Sequence, residues 1–217
     1  MTKRWTCYPG DEHFARYAIG AYGHDTWVCA LEYLKYKRTF LDVGAHIGHF
    51  SWNALTEFDR VIAIEPVPRN FSCLKENVER RLKKMKYKPD VNLLRAMAGD
   101  RVLDQADVWF SDPSGGKNSG AWELSMDSGQ AKMKVDVISV DSLGLTELDL
   151  MKIDTQGWES RVLDGAKETI ARCKPVLIVE VVQNENINGS LIDQARAFGY
   201  GARAIIQKNM ILVPENR

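Results

Sequence analysis

Short apolar runs alternate with more polar stretches along most of the chain. Five runs are apolar almost throughout, which is typical of strands covered on both faces: Thr39–Val43, Arg60–Glu65, Val91–Ala98, Leu148–Asp154 and Lys174–Val182. The stretches around them predict helices over 25–36, 48–57, 68–83, 158–171 and 189–198. This alternation predicts an α/β fold in which a mostly parallel sheet carries helices on both faces.

Four segments depart from that alternation of strands and helices. Residues 106–110 and 131–140 alternate apolar and polar positions, which predicts antiparallel strands. The segment between them, Ser111–Gln130, is rich in Gly and Ser and predicts an exposed loop. Near the end of the chain two apolar runs flank Lys208–Asn209, and Asn tolerates the left-handed backbone of a tight turn. We therefore expect a seven-stranded, mostly parallel sheet that closes with a C-terminal antiparallel hairpin.

The amino-acid composition and charge reduce the number of protein classes to which the chain could belong. Hydrophobic residues make up 45% of the chain and charged residues 27%, as in an ordinary globular protein. The 29 Lys and Arg residues balance the 29 Asp and Glu residues, whereas a duplex-binding protein usually carries a basic excess. Nucleic acid is therefore not the expected partner. The basic run Arg80–Lys88 keeps an anionic partner open, although cations are also favoured at the end of a helix.

The cysteines and the lengths of the apolar runs indicate the cellular compartment of the protein. Four cysteines are spread along the chain: Cys7, Cys29, Cys73 and Cys173. Their spacing predicts neither a zinc site nor a disulfide scaffold. No apolar run approaches the roughly 18–20 residues of a membrane span, and the N-terminus lacks the apolar core of a signal peptide. We expect a cytoplasmic protein with one domain over 1–217, in which 1–38 is a helical cover and 39–217 the α/β core.

The first strand runs into a glycine turn. Asp42, Gly44 and Gly48 give the pattern D-x-G-x-x-x-G, and Ala45 and His46 lie between the glycines. Glycine lets the backbone turn sharply and approach a ligand, and ligands of open α/β sheets bind at the carboxyl ends of strands. The spacing differs from the G-x-G-x-x-G of dinucleotide binders, so it favours S-adenosylmethionine over NAD. A plain strand-to-helix turn without a ligand is the alternative.

Two further strand ends are candidate cofactor contacts. Glu65, followed by Pro66, ends the second run about 20 residues after the glycine turn, where an acidic residue can accept both hydroxyls of a ribose. Met97 and Ala98 end the third run and are predicted to flank an adenine, with Asp100 or a backbone amide at its amino group. Simple strand-end roles are the alternatives.

Four blocks resemble the FkbM family of S-adenosylmethionine-dependent methyltransferases. They read FLDVGAHIGHFS, VIAIEPVPRNFSCLKENV, LDLMKIDTQGWESRVLDGAKETI and KPVLIVEV, and cover about residues 39–182. The resemblance implies a Rossmann-like class I methyltransferase fold and methyl transfer to a hydroxyl of a sugar, glycan or other small molecule. The family's first motif falls on Asp42, Gly44 and Gly48, and its ribose acid on Glu65.

The chain departs from the family pattern at two positions. His46 stands where the family usually has Asn in GANIG, and Gln156 stands where it has Glu in IDVEG. A Gln side chain can orient a group but cannot act as a base. The substitution at Gln156 therefore favours, as one alternative, a module that binds the cofactor without catalysis.

Methyl transfer to a hydroxyl needs an aligned acceptor and a group that takes its proton. Asp154 ends the strand expected beside the first one, so we predict that it lies by the methyl donor and orients or deprotonates the acceptor. The alternatives are an N-cap for the helix near Trp158 and a partner that supports the turn without touching a ligand. His46 is the second candidate base, with a loop hydrogen bond as its alternative. Gln156, Trp158 and Trp122 are predicted to line the acceptor site, with Trp122 in a lid.

Other activities remain open from the sequence. A methyltransferase acting on nitrogen or on nucleic acid has the run Arg80–Lys88 as its only support. An NAD-dependent dehydrogenase is disfavoured by the glycine spacing. The His, Asp and Glu residues show no familiar ligand spacing, so we expect no metal. The expected partner is a small-molecule or glycan acceptor, and an exposed hairpin edge leaves a homodimer open.

Overall fold

The computed structural model describes residues 5–6, 23–111, 123–126, 128–181 and 185–215. The strands within these ranges are β1 (Thr39–Val43), β2 (Arg60–Ile64), β3 (Asp90–Leu94), β4 (Ala96–Ala98), β5 (Leu103–Ser111), β6 (Glu123–Ser125), β7 (Ala131–Ile138), β8 (Leu150–Ile153), β9 (Val176–Glu180), β10 (Tyr200–Ile206) and β11 (Asn209–Pro214). The helices are α1 (His24–Glu32), α2 (His49–Ala54), α3 (Pro68–Leu82), α4 (Glu159–Asp164), α5 (Lys167–Cys173) and α6 (Glu185–Ala197), with a 3-10 turn at Asp141–Leu143.

The main sheet has seven strands in the order β10-β11-β9-β8-β1-β2-β3. The pairs among β9, β8, β1, β2 and β3 are parallel, and β11 pairs antiparallel with both β9 and β10. The predicted parallel sheet with a C-terminal hairpin is therefore confirmed. All five parallel strands end at one edge, so the polar residues that follow β1, β2, β8 and β9 meet there.

The two faces of the sheet carry separate cores, because successive side chains of a strand point to opposite faces. Phe40 belongs to the core that includes Trp27 of α1 and Leu74 of α3. Leu41, the next residue, belongs to the core that includes Val162 of α4 and other residues of α5 and α6. The prediction of helices on both faces is confirmed.

The third predicted strand, Val91–Ala98, is wrong as one element. It divides at the exposed residue Arg95 into β3, which ends the main sheet, and β4, which begins a second sheet in the order β4-β7-β5-β6. The division arises because β4 pairs with β7, with Met97 opposite Val137. The predicted antiparallel strands are confirmed, since β5 and β7 pair with Trp109 opposite Lys132.

The predicted helix over 158–171 is also two elements, α4 and α5. The break lies at Gly165 and Ala166, where the chain passes very close to the end of β4. A Cβ on Gly165 would lie 1.9 Å from the carbonyl oxygen of Gly99. The N–H of Asp141 also donates to the carbonyl oxygen of Gly165, at 2.8 Å. Tertiary contacts at a glycine therefore decide this boundary.

The hairpin turn differs in detail from its prediction. Gln207, with φ of 56°, takes the left-handed conformation, and Asn209 already begins β11. Strand β10 lies at the edge of the sheet and carries Ile205, whose side chain is 63% exposed. Pairing of two chains along this edge remains a prediction.

The described part of 1–38 packs on one face of the sheet. Trp5 lies against Trp52 of α2 with ring centroids 4.8 Å apart, and Trp27 lies edge-on to Phe40 at 5.3 Å. The division into a cover and a core remains a prediction. In the part of the chain that the structure describes, no helix is both long and apolar enough to cross a membrane.

Candidate functional site

The turn after β1 depends on backbone that most residues avoid. Gly44, His46 and Gly48 all have positive φ, at 73°, 54° and 89°. At Gly44 the need for glycine is also steric, because a Cβ would lie 1.8 Å from the carbonyl oxygen of Asp154. His and Asn are both enriched among non-glycine residues in the left-handed region. The exchange of the family's Asn for His46 therefore preserves the backbone of the turn.

Asp42 lies beneath this turn. Its side chain is completely buried, and its Oδ2 accepts hydrogen bonds from the N–H and O–H of Ser51 at 2.9 and 2.6 Å. The Nζ of Lys152 lies 3.8 Å from its Oδ1. Burial raises the pKa of Asp42, although Lys152 and Ser51 oppose that shift. Asp42 thus supports the turn through Ser51, and its predicted direct contact with a ligand stays a prediction.

Glu65 joins the first two strand ends. Its Oε2 accepts from the N–H of His46 at 2.9 Å, and its Oε1 accepts from the N–H of Val67 at 3.0 Å. The amide of Asn70 donates to the same Oε1 at 3.4 Å. Burial raises the pKa of Glu65 to about 7, because desolvation outweighs these hydrogen bonds. Pro66, the next residue, is buried.

A polar network occupies the ends of β8 and β9. The Nζ of Lys152, 4% exposed, lies 3.1 Å from Oδ2 of Asp154 and 3.5 Å from the carbonyl oxygen of Gly44. The Nε2 of Gln156 donates to Oδ1 of Asp154 at 2.8 Å and to Oε2 of Glu180 at 2.6 Å. One amide thus joins the ends of two neighbouring strands.

Glu159 holds the loop that carries Asp154 and Gln156. Its carboxylate accepts hydrogen bonds from the N–H of Thr155 at 2.8 Å and from the N–H of Gly157 at 3.0 Å. Gln156 has φ of 55° and therefore needs such support. The alternative role of Asp154 as an N-cap is wrong, because Trp158 occupies the N-cap position of α4. Asp154 is bound instead by Lys152 and Gln156.

A pocket of about 230 Å³ lies beside this loop, between α4 and the second sheet. Polar and charged lining comes from Asp100, Arg101 and Arg161, and the rest of the lining is Gly99, Leu103, Met126, Val137 and Trp158. The guanidinium of Arg161 lies 4.5 Å from the ring of Trp158 and 3.4 Å from a carboxylate oxygen of Asp100. The Nε1 of Trp158 is buried and has no hydrogen-bond acceptor among the described residues.

Met97 and Ala98 do not present side chains to this pocket. Met97 packs with Val108 and Val135 in the core of the second sheet, and Ala98 packs in the core of the main sheet. Both side chains are buried in the cores, and their contact with an adenine stays a prediction. The alternation of a strand turns them into the two cores, and Gly99 and Asp100 reach the pocket instead.

Sequence reasoning missed three residues of the site, Lys152, Glu159 and Glu180. A signal existed for two of them. Lys152 is a charge within an apolar strand and lies two positions before Asp154, so both side chains point to one face. Glu180 is the last residue of a parallel strand, and Glu65 directly follows one.

Trp122 lies outside the described residues. Among the residues described, no group of three or more His, Cys, Asp or Glu side chains is placed to hold a metal.

Comparison with known proteins identifies the family. The model of the methyltransferase FkbM domain matches residues 42–201, which is most of the chain and includes the glycine turn, Glu65 and the loop after β8. The chain belongs to the FkbM methyltransferase family. A search of curated protein sequences found no match.

Solved structures show the same fold as this FkbM chain. Methyltransferase FkbM from Methylobacillus flagellatus KT superposes with a TM-score of 0.59 at 21% identity, covering 82% of this chain and 43% of that chain. This chain thus spans less than half of that protein. A precorrin-6y C5,15-methyltransferase from Geobacter metallireducens GS-15 gives 0.51 at 13% identity, with 87% and 86% covered.

A third structure extends the comparison. The magnesium protoporphyrin IX methyltransferase of Synechocystis PCC 6803, solved with bound SAM, gives a TM-score of 0.51 at 8% identity, covering 94% of this chain and 85% of that one. Identities this low establish the fold alone. The predicted Rossmann-like class I methyltransferase fold is confirmed.

Proposed function

We propose that this protein transfers a methyl group from S-adenosylmethionine to a hydroxyl oxygen of a small molecule. One observation carries the proposal. The glycine turn, Glu65 and Asp154 converge at the carboxyl edge of the parallel sheet, where open α/β sheets bind their ligands. Membership of the FkbM methyltransferase family supports methyl transfer. A sugar or glycan as acceptor is supported only by the family resemblance.

The residues around the turn suit a ribose. Oε2 of Glu65 accepts one hydrogen bond from the N–H of His46, and a carboxylate oxygen has a second lone pair for a ribose hydroxyl. The pKa of about 7 indicates that the ligand-free carboxyl is poorly solvated. Hydroxyl donors from a ribose would relieve this desolvation, so the raised pKa supports a ligand at Glu65.

The pocket beside Trp158 suits an adenine. Trp158 lines the pocket with a ring that Arg161 covers at 4.5 Å, and its buried N–H, next to Gly99, lacks an acceptor among the described residues. Asp100 also lines the pocket. A purine has ring nitrogens that accept hydrogen bonds and an amino group that donates them. We therefore assign Trp158 to the cofactor, although its sequence pattern had suggested the acceptor site.

The chain's own residues would then serve the reaction as follows. When bound, S-adenosylmethionine supplies an electrophilic methyl group on a sulfonium. The acceptor oxygen forms a bond to the methyl carbon as the carbon–sulfur bond breaks, and sulfur keeps the electron pair. Asp154 accepts the hydroxyl proton and later releases it to solvent. Lys152 and Gln156 hold the carboxylate of Asp154 in place.

The basic run Arg80–Lys88 gives little support to a nucleic-acid acceptor. Arg80 forms an ion pair with Glu76, and Arg81 lies 4.7 Å from the ring of Trp52. Both guanidinium groups thus have partners within the protein. The lysines of the run follow Leu82, the last residue of α3.

Transfer of a labelled methyl group tests the proposal. The protein is incubated with S-adenosylmethionine labelled in the methyl group and a panel of sugars, glycans, amines and RNA, beside Asp154→Asn. We expect label on a hydroxyl oxygen of a small molecule with the wild type, and at least a hundredfold less with the variant. Label on nitrogen or on RNA, or full turnover by Asp154→Asn, would contradict the assignment.

A further inference from the structure

Two carboxyl groups share one amide at the ends of β8 and β9. The Nε2 of Gln156 lies 2.8 Å from Asp154 and 2.6 Å from Glu180. An amide nitrogen has two N–H donors, so it can donate one to each carboxyl. Both carboxyls are thus bound to one nitrogen and lie close together. A hydrogen bond between two carboxyl groups requires that one of them be protonated.

The charges that face this pair favour a single proton on it. Among the described residues Lys152 is the cation beside the pair, and its Nζ lies 3.1 Å from Asp154 and 3.8 Å from the buried carboxyl of Asp42. Glu159 of α4 adds another carboxylate near Glu180, and Asn209, opposite Glu180 on β11, is uncharged. Carboxyls outnumber the nearby ammonium. Two close carboxylates in a buried site cannot both ionise readily.

We propose that Glu180 is a positioning residue that stays protonated at neutral pH and donates its carboxyl proton to Asp154, so that Asp154 is the ionised member of the pair. The proton on the pair is argued from the shared amide and from the charges around it, and it does not depend on the activity of the protein. Its catalytic use, an ionised Asp154 ready to take the acceptor's proton, rests on the proposed function.

The two pKa shifts agree with this assignment. Burial, the charge of Asp154 and their hydrogen bond raise the pKa of Glu180 to about 9. Burial alone would raise the pKa of Asp154, but the ammonium of Lys152 and the hydrogen bonds from Glu180 and Gln156 lower it overall. Both directions favour the proton on Glu180, on strand β9.

Gln156 acquires a role from this arrangement. A Glu at that position would place a third carboxyl between Asp154 and Glu180, whereas the amide donates to both. The Gln that stands in place of the family's Glu is therefore compatible with catalysis. It does not by itself indicate a module that has lost activity.

A carboxyl titration tests the shared proton without any substrate. Carbon-13 NMR of the full chain follows the Asp and Glu carboxyls with pH in wild type, Glu180→Gln and Glu180→Ala. In the wild type we expect one Glu carboxyl to titrate near pH 9, and that signal disappears in both variants. The signal of Asp154 is identified by its absence from the spectrum of Asp154→Asn. In Glu180→Gln we expect Asp154 to stay ionised through neutral pH, since the new amide can also donate a hydrogen bond to it. In Glu180→Ala its pKa is expected to rise.

Two results would overturn the proposal. One is titration of Glu180 in the ordinary range of a Glu, and the other is a wild type in which Asp154 is the high-pKa member. The wild-type titration decides even if Glu180→Ala does not fold. Calorimetric binding of S-adenosylmethionine to the same samples tests the proposed function separately, because loss of binding would leave the titration result intact.

Discussion

Gly44 and Asp154, from two different strand ends, lie in such close contact that a Cβ on Gly44 would be 1.8 Å from the carbonyl oxygen of Asp154. The contact locks the turn that we assign to the cofactor against the loop that we assign to proton transfer. The N–H of Asp154 also donates to the carbonyl oxygen of Val43, at 3.1 Å. The two loops therefore cannot move independently, and changes in one should affect the other.

Gly44→Ala tests this contact. The substitution adds left-handed strain of about 1–2 kcal/mol and a backbone clash of about 1–3 kcal/mol, so we expect both a large loss of stability and loss of cofactor binding. Denaturant unfolding measures the first and calorimetry the second. Gly144→Ala is the control, because Gly144 has φ of 60° but no atom within 4 Å of its Cβ position. Equal losses in both variants would show that the close contact is unimportant.

Lys152→Met tests the buried ammonium. Its removal leaves Asp42 and Asp154 without their cation, which should cost about 3–5 kcal/mol of unfolding free energy at neutral pH. Because Lys152 lowers the pKa of Asp154, its stabilisation is present above the ordinary pKa of an Asp and is lost as the pH falls through the lowered value. Denaturant unfolding at several pH values should therefore show a loss that shrinks in acid.

Lys132→Met is the matched control for Lys152→Met. Lys132 pairs with Asp107 at 2.8 Å, but their side chains are 45% and 47% exposed. Pairs of this kind contribute about 0–1 kcal/mol. A Lys152→Met protein as stable as Lys132→Met would mean that the buried network does not depend on the ammonium.

Glu65 should link stability to pH between about 4.5 and 7. Its folded pKa of about 7 lies above its ordinary value of 4.5, so the folded protein holds the proton more tightly. The contribution of Glu65 to stability is then full below pH 4.5 and is lost as the pH rises through 7. Thermal unfolding across this range should show a steeper loss of stability with rising pH in the wild type than in Glu65→Gln, which keeps the contribution of Glu180. The same slope in both would contradict the raised pKa.

Cofactor binding should release a proton from Glu65. Ribose hydroxyls donate to the ionised carboxyl and therefore favour it, so binding near pH 7 should release up to about half a proton per site. Calorimetry in two buffers of different ionisation enthalpy measures this release. We expect it to vanish in Glu65→Gln and to persist in Glu57→Gln, a surface variant whose Glu pairs with Lys37. No release by the wild type would count against a ribose at Glu65.

Trp158→Leu should weaken cofactor binding without unfolding the chain. Stacking of a base on an aromatic ring contributes about 1–3 kcal/mol, so we expect a Kd roughly ten to a hundred times higher. Trp109→Leu, on strand β5 where Lys132 covers the ring at 5.4 Å, is the control. A normal Kd for Trp158→Leu would return Trp158 to the acceptor site suggested by its sequence position.

The local sequence pattern was sufficient to predict an element where that element depends on its own residues. Thr39–Val43 is a strand with the bounds that its apolar run predicted, and Pro68 begins α3 as a proline in the first helical turn does. The division of Val91–Ala98 at Arg95 was not predictable in this way. It depends on pairing between Ala96–Ala98 and residues 136–138, which lie about 40 positions away.

Prediction of the candidate site from the sequence has the same limit. The glycine spacing indicated Gly44, and an acid at a strand end indicated Glu65. Both could be predicted because a turn glycine and a strand-end acid each depend on the backbone at a single position. The buried support of Asp42 by Ser51 and the sharing of Gln156 between Asp154 and Glu180 depend on which strands are neighbours. That order, β9-β8-β1, is a property of the whole sheet.

Calorimetric titration of the wild-type protein with S-adenosylmethionine, S-adenosylhomocysteine and NAD tests the central claim most directly. The account predicts that both adenosyl-sulfur ligands bind at one site, that NAD does not compete, and that Glu65→Gln raises the Kd of both about tenfold or more. Binding of NAD in place of the adenosyl-sulfur ligands, or binding that is indifferent to Glu65, would contradict it.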